Sequence, residues 1–360
     1  MRLGSIGRLG IARVLGTAAG GVGLASVILV NKETQAPQQK PWKIEYATQS
    51  PKDDVLLSRK IVNELDKTGL NLRLYQYQTC PFCCKVRAFL DYYGFSYEVV
   101  EVNPVTRSQI KFAKGYKKVP IITSCCCEQP LVESSLIVSV LSTFLQLPKR
   151  SLTECLDFYP SHETIDEKTQ KPTKAYPNKY FVMEEEKTLS QQQIQNSREE
   201  REWRDWVDSH FIHLISPNVY RTWNEALDTF QWFNKVGDWD RNFPMWERYL
   251  AVYVGALAMY GISKSLKKRH NIEDERQSLF EACDKWVAAI GKDRKFMGGD
   301  EPNLADLALF GAINSFVGCA AFKEMREKTS IGPWFDAVKV AVEERQGSKY
   351  LAARAAQKKA

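Results

Sequence analysis

The chain has no run of five like charges, no internal repeat, and no second Cys-x-x-Cys or Cys-x-x-His beside the one it carries. Each absence excludes something. Its 50 basic and 43 acidic residues are interleaved, as in "REEREWRDW", and the net charge is only +7. That mixing is a solvated surface and leaves no footprint for nucleic acid. The cysteines number nine, at 80, 83, 84, 125, 126, 127, 155, 283 and 319. An odd count in so long a chain is not a secreted disulfide framework and points to reduced thiols in a cytosol-like compartment. A zinc site wants paired ligands at fixed spacing, which neither the Cys125–Cys127 run nor the four histidines supply. His210 and His213 lie three apart on a helical stretch without a carboxylate partner and read as core or surface residues.

What is present is a globular composition, 44% hydrophobic and 26% charged over 360 residues, enough for two domains with appendages. The start differs from the rest. Val14–Val30 has no charge and follows Arg2, Arg8 and Arg13. Its 17 residues reach the lower edge of the roughly 17–25 that cross a bilayer. A membrane anchor, a cleaved signal peptide and an organelle-targeting segment, mitochondrial above all, compete here. The reduced cysteines speak against secretion, and an anchor over residues 14–30 is the preferred reading.

The chain divides into this segment (1–30), a polar linker and lead-in (31–69), a first domain (70–147), a polar loop-like insertion (148–197), a helical domain (198–346) and a frayed basic tail (347–360). Within the first domain, "NLRLYQY" alternates as a strand and "PFCCKVRAFLDYY" has helical spacing, with Gly94 as its stop. "SYEVVEV" reads as a strand and "PVTRSQIKFAK" as a helix. "KVPIIT" and "LVE" read as strands about a turn at Cys125–Gln129. "SSLIVSVLSTFLQL" reads as a helix capped by Ser134 or Ser135. The order β-α-β-α-β-β-α is that of an α/β thioredoxin or glutaredoxin-like domain. In the second domain "MWERYLAVYVGALAMYGISKSL" is long and apolar, but Glu247 and Arg248 inside it favour a buried core helix over a membrane span. "PNLADLALFGAINSF" opens with Asn303 as N-cap and Asp306 three residues on, a variant capping box.

Three elements carry chemistry. Cys80-Pro81-Phe82-Cys83 sits at a strand-to-helix turn, with proline at the first helical position. A thiol there faces unpaired N–H groups and the positive end of the helix dipole, which favours the nucleophilic thiolate. Cys80 is thus expected to be the exposed, activated sulfur, Cys83 its neighbour one turn in, and Cys84 a packing residue. Zinc binding and a purely structural role are the competing readings of this cluster. Lys118-Val119-Pro120 opens a strand. In thioredoxin-like folds such a proline is cis and lies beside the Cys-x-x-Cys, leaving the Val119 backbone to pair with a γ-glutamyl-cysteinyl peptide. Glu133-Ser134-Ser135 opens a helix and can receive a carboxylate and an ammonium, or merely cap it. Tyr77, three residues before Cys80, either donates a hydrogen bond near the sulfur or packs the strand.

"LYQYQTCPFCCKVRAFLDYYGFSYEVVEVNP", "KKVPI", "HLISPNVYRT" and "DKWVAAIGKDRKFMGGDEPNLADLALFG" together resemble the membrane-associated type 2 prostaglandin E synthases, over about residues 70–340. The resemblance implies a glutaredoxin-like domain followed by an all-α domain like the C-terminal half of glutathione transferases, in a homodimer. It implies isomerisation of prostaglandin H2 to prostaglandin E2. Cys80 matches the family's thiol, with Cys83 as second cysteine and Tyr77 and Phe82 lining the pocket. Its glutathione contacts match Val119 with Pro120, Glu133 (Asp in the family) and Ser134. It further implies haem held through the thiol of bound glutathione, a state that breaks the endoperoxide down. It implies a Golgi membrane address with cytosol-facing domains, and a processed soluble form. "SCCCEQP" departs from the family and has no assigned role.

Overall fold

The computed structural model describes residues 55–113, 116–165, 172–185 and 190–357. The hydrophobic segment at 14–30 and the linker after it lie outside them. Among the described residues no helix is long and apolar enough to cross a membrane.

The first domain is a five-stranded sheet in the order β1-β3-β2-β4-β5. Its strands are β1 (Arg59–Ile61), β2 (Leu72–Gln76), β3 (Tyr97–Glu101), β4 (Ile121–Ser124) and β5 (Cys127–Val132). β2 and β3 run parallel and the other pairs antiparallel. The parallel pair is joined by α1 (Pro81–Tyr93), which ends on Gly94 in the left-handed region at φ 75°. Three expectations change here. Strand β1 falls in the stretch read as lead-in. The expected helix over "PVTRSQIKFAK" is only a 3₁₀ turn at Ser108–Ile110, entered through Arg107 at φ 50°. The hairpin turn is just Cys125–Cys126, because β5 already begins at Cys127.

α2 (Ser134–Gln146) follows β5 and is capped by Glu133 rather than by a serine. The Glu133 carboxylate accepts from the Leu136 N–H at 3.0 Å. The polar insertion has structure of its own. It contains α3 (Leu152–Asp157) and a hairpin of β6 (His162–Ile165) and β7 (Pro172–Ala175). The glutamine run is the first turn of α4 (Gln191–Trp206), closed by a capping box between Ser190 and Gln193.

α4 continues through a π turn (Val207–Phe211) into α5 (Ile212–Val219). α6 (Trp223–Val236) and the short α7 (Trp239–Asn242) follow. α8 (Met245–Tyr249), a π turn (Leu250–Val254) and α9 (Gly255–Arg269) form the long apolar helix. It is not buried all round: Ala251, Ala256, Met259 and Leu266 face the core, while Met245, Trp246, Tyr249, Tyr253 and Leu257 are exposed. Its two charged residues are accounted for, since Glu247 accepts from Asn103 of the first domain and Arg248 lies 3.9 Å from Asp240. The remaining helices are α10 (Glu275–Ile290), α11 (Leu304–Asn314), α12 (Ala320–Lys328), α13 (Ile331–Glu343) and α14 (Ser348–Gln357). The capping box at Asn303 and Asp306 forms as expected. Asp306 also accepts from Met297, Gly298 and the Trp334 indole.

The two domains share one core, and α11 packs along α1. At Gly311 a Cβ would lie 2.5 Å from Lys85 Cα and 2.6 Å from Lys85 N, so only glycine lets the two backbones approach this closely. The tail read as frayed is α14, docked on the first domain. Buried Arg354 donates to the carbonyls of Phe144, Leu147 and Arg150, the last two at 2.7 Å, and lies 3.4 Å from the centre of the Phe144 ring.

Candidate active site

The register of the sheet explains why three distant motifs meet. Tyr75 pairs with Ile121, and the same antiparallel course carries Tyr77, just past the end of β2, toward Val119, just before β4. Ile121 pairs with Val132, so one residue further Pro120 stands level with Glu133. The Val119–Pro120 peptide bond is cis. One end of the sheet therefore gathers Tyr77 and the turn to Cys80, the cis proline, and the Glu133–Ser134 start of α2.

Cys80 is the N-cap of α1, with extended backbone at φ −75° and ψ 125°. Its carbonyl accepts the first helical bond, from Cys84 N at 2.9 Å, and its own N–H donates to Tyr77 O at 3.1 Å. Contrary to expectation the sulfur is not exposed: Cys80 keeps 1% of its surface and Cys83 none. Burial alone would push the Cys80 thiol up. The neighbouring Cys83 thiol, the Cys83 and Phe82 backbone N–H groups and the Arg87 charge outweigh it and hold Cys80 below the ordinary value. Cys83 is pushed well up by burial and by the adjacent Cys80 sulfur. One thiol of the pair is poised to ionise and the other to stay protonated and donate to it.

Around the pair, Tyr77 is buried near the Arg107 charge and is held protonated chiefly by burial. Phe82 is half-buried, with the Lys85 ammonium 5.6 Å from its ring centre. Ser134 is buried, and its hydroxyl has no hydrogen-bond partner among the described residues. An orphaned buried hydroxyl at a helix start is what an anionic ligand group would satisfy. Glu133, half-buried, already spends one carboxylate oxygen on its own cap.

Several functional neighbours were not legible in the sequence. Tyr220 of "ISPNVYRT" reaches over from the helical domain and is pushed up by burial and by its nearness to Cys319 and Cys80. Beneath the site, buried Arg87 donates to Gln76 at 2.5 Å, to Gln78 O at 2.7 Å and to the Cys84 sulfur at 3.0 Å. Cys84 thus serves this network, and burial pushes its thiol up to about 11. Glu101 closes the network, accepting from Gln78 N at 2.6 Å, and burial raises its carboxyl to about 7. Across the domain boundary, buried Lys85 pairs with Asp208 of the π turn. Ser135 donates to the other Asp208 oxygen at 2.5 Å and accepts from Lys85 at 3.1 Å. This cluster ties α1, the start of α2 and the helical domain together. Only the spacing of Lys85 on the buried side of α1 hinted at it.

A thiol at a strand-to-helix turn, a cis proline beside it and a capped helix start on the same sheet end, backed by a helical domain, define a glutathione-transferase-like protein. The family model described as glutathione S-transferase, N-terminal domain, matches residues 74–143. The chain is 46% identical over 281 residues to prostaglandin E synthase 2 of Mus musculus, covering 77% of this chain and 71% of that protein. It is 45% identical over 284 residues to prostaglandin E synthase 2 of Danio rerio, covering 78% and 73%. The chain belongs to the prostaglandin E synthase 2 family. Among solved structures it is similar to the β-etherase LigF from Sphingobium sp. strain SYK-6 (16% identity, TM-score 0.46, 77% of this chain and 99% of that one). A second is human glutathione transferase theta-2 in complex with glutathione (15%, 0.41, 79% and 88%).

Proposed function

We propose that this enzyme isomerises prostaglandin H2 to prostaglandin E2 at a single reactive thiol, Cys80. The observation that carries the reading is the unequal pair at the start of α1, with Cys80 held down by donors and Cys83 pushed up. In the reaction, the Cys80 thiolate attacks the endoperoxide oxygen that becomes the ketone, and the weak O–O bond breaks. The other oxygen leaves as an alkoxide and takes a proton, becoming the hydroxyl. Loss of the ring proton on the carbon bearing the S–O group then forms C=O and returns the S–O electrons to sulfur. Protons and electrons balance, so no net oxidant is needed. Tyr77, kept protonated by burial, acts only as a donor in this scheme. Phe82 and Tyr220 supply apolar surface to the lipid.

Glutathione fits the same end of the sheet. The Val119 backbone would pair with its cysteinyl peptide, the unpartnered Ser134 hydroxyl would take the γ-glutamyl carboxylate, and Glu133 its ammonium. Haem would supply iron chemistry on the endoperoxide. No set of three His, Cys, Asp or Glu side chains among the described residues is arranged for a metal ion. Haem would be held through bound glutathione, so the chain's share would be the glutathione contacts at Val119, Glu133 and Ser134. The protein acts as a homodimer anchored through residues 14–30. Its address is the Golgi membrane, with the domains facing the cytosol and a processed cytoplasmic form; mitochondria are the alternative. Imaging a version lacking residues 1–30 tests the address, and retention at the membrane would overturn it.

Product analysis with prostaglandin H2 tests the chemistry. Cys80→Ser should abolish isomerisation and Cys83→Ser should spare much of it. The nearness of the two thiols, each shifting the other's ionisation, favours one second reading, a glutathione-dependent thiol–disulfide oxidoreductase. Equal loss in both variants, with turnover of a glutathione mixed disulfide by the wild type, would establish that reading instead.

A further inference from the structure

The turn between β4 and β5 holds two exposed, consecutive cysteines, Cys125 and Cys126, whose sulfurs lie 3.5 Å apart. They form a built feature rather than a loose tip. The Cys125 thiol donates to Gly69 O at 3.3 Å, the Cys126 thiol to the same carbonyl at 3.5 Å, and the Asn71 amide donates to the Cys125 sulfur at 3.3 Å. The turn itself is fixed from both sides. Ser124 Oγ donates to Leu70 O at 2.7 Å, and Thr153 Oγ1 donates to Cys126 O at 3.2 Å. Cys127, next in sequence, is buried and turned to Gln129 O at 3.3 Å.

Two side-by-side sulfurs have two obvious fates. A direct disulfide is poorly matched, because consecutive Cα atoms stand about 3.8 Å apart while disulfides span about 4.4–6.8 Å between Cα atoms. Sharing one soft atom suits the spacing. A linear two-coordinate copper(I) centre would hold its sulfurs on opposite sides. A pyramidal trivalent arsenic centre holds them close on one side, with its third position open to an organic group or a further thiol.

We propose that Cys125 and Cys126 form a dithiol site for trivalent arsenicals, separate from the Cys80 pair. With an organoarsenic(III) oxide both thiols add to arsenic. Two As–S bonds form, the As–O bonds break, and the two thiol protons leave with oxygen as water. Arsenic stays trivalent and nothing is oxidised. The competing pair, Cys80 and Cys83, is almost fully covered, so the hairpin pair is the first to react. The inference does not depend on the reaction proposed for Cys80.

Phenylarsine oxide, titrated into the reduced full-length protein after removal of small thiols, is the test. Intact mass counts the adducts and peptide mapping locates them. The first equivalent should bridge Cys125 and Cys126 and leave isomerase activity intact, and Cys80→Ser should bind that equivalent unchanged. Cys125→Ser and Cys126→Ser, each verified as folded by circular dichroism, should lose it. A first equivalent on Cys80 and Cys83 in the wild type would overturn the proposal. So would uptake that neither hairpin variant alters, or no stable adduct at all.

Discussion

The two sulfurs of Cys80-Pro81-Phe82-Cys83 are one turn apart on the same helix, yet their environments drive them in opposite directions. Cys80 receives donors at the helix start, whereas Cys83 is buried behind it with the Cys80 sulfur as neighbour. The pH midpoint of Cys80 alkylation should therefore lie below that of an ordinary thiol. In Cys83→Ala, where a donor is lost, it should move up; iodoacetamide rates followed by mass spectrometry check this. Glu101 offers a second residue-scale prediction. Burial raises its carboxyl from 4.5 to about 7, so the folded protein holds this proton more tightly than the unfolded chain. Its stabilising contribution is full below pH about 4.5 and is lost as pH rises through about 7. Glu101→Gln should flatten this fall, on the order of 3 kcal/mol, in thermal unfolding measured from pH 4 to 8. Cys80 and Pro81 were legible because helix-start chemistry is local. The burial of Cys80 and the nearness of Tyr220 were not, because Tyr220 comes from the helical domain, far along the chain.

At the scale of elements, the site depends on how α1 is gripped. Gly311→Ala would drive a methyl group into the Lys85 backbone and push α11 from α1. Overpacking of this kind should cost about 1–3 kcal/mol in chemical denaturation, with a loss of activity because α1 carries Cys80. Lys85→Met would leave Asp208 charged and largely covered without its partner. That should cost about 3–5 kcal/mol, and adding Asp208→Leu should recover part of it, as a double-mutant cycle would show. Most strands and helices were legible from periodicity and caps. The helix expected over residues 104–114 was a misreading: its apolar spacing suits a helix, but the described part, up to Ala113, holds only the 3₁₀ turn at Ser108–Ile110. The insertion was misread because its polarity suggested a loop, although the capping box at Ser190 was visible in it.

For the whole molecule, the last helix ties the end of the described chain to the first domain. Arg354→Ala would leave three buried or half-buried carbonyls without their donor. The expected loss is about 1–3 kcal/mol, read as a lower melting temperature. The basic tail looked frayed because its cations suggested solvent. Only the docked helix shows that one of them serves as a clamp.

The sequence by itself determined the domain order, the thiol-bearing helix start, the capping box at Asn303 and the family, since local backbone chemistry and motif spacing need no partner to be read. The tertiary structure alone decided which thiol is shielded, which residues reach the site from the helical domain, and that Cys125 and Cys126 stand as a braced pair. The reason is physical. Burial and charge pairing are properties of surfaces brought together from distant parts of the chain, and linear spacing does not record which surfaces meet.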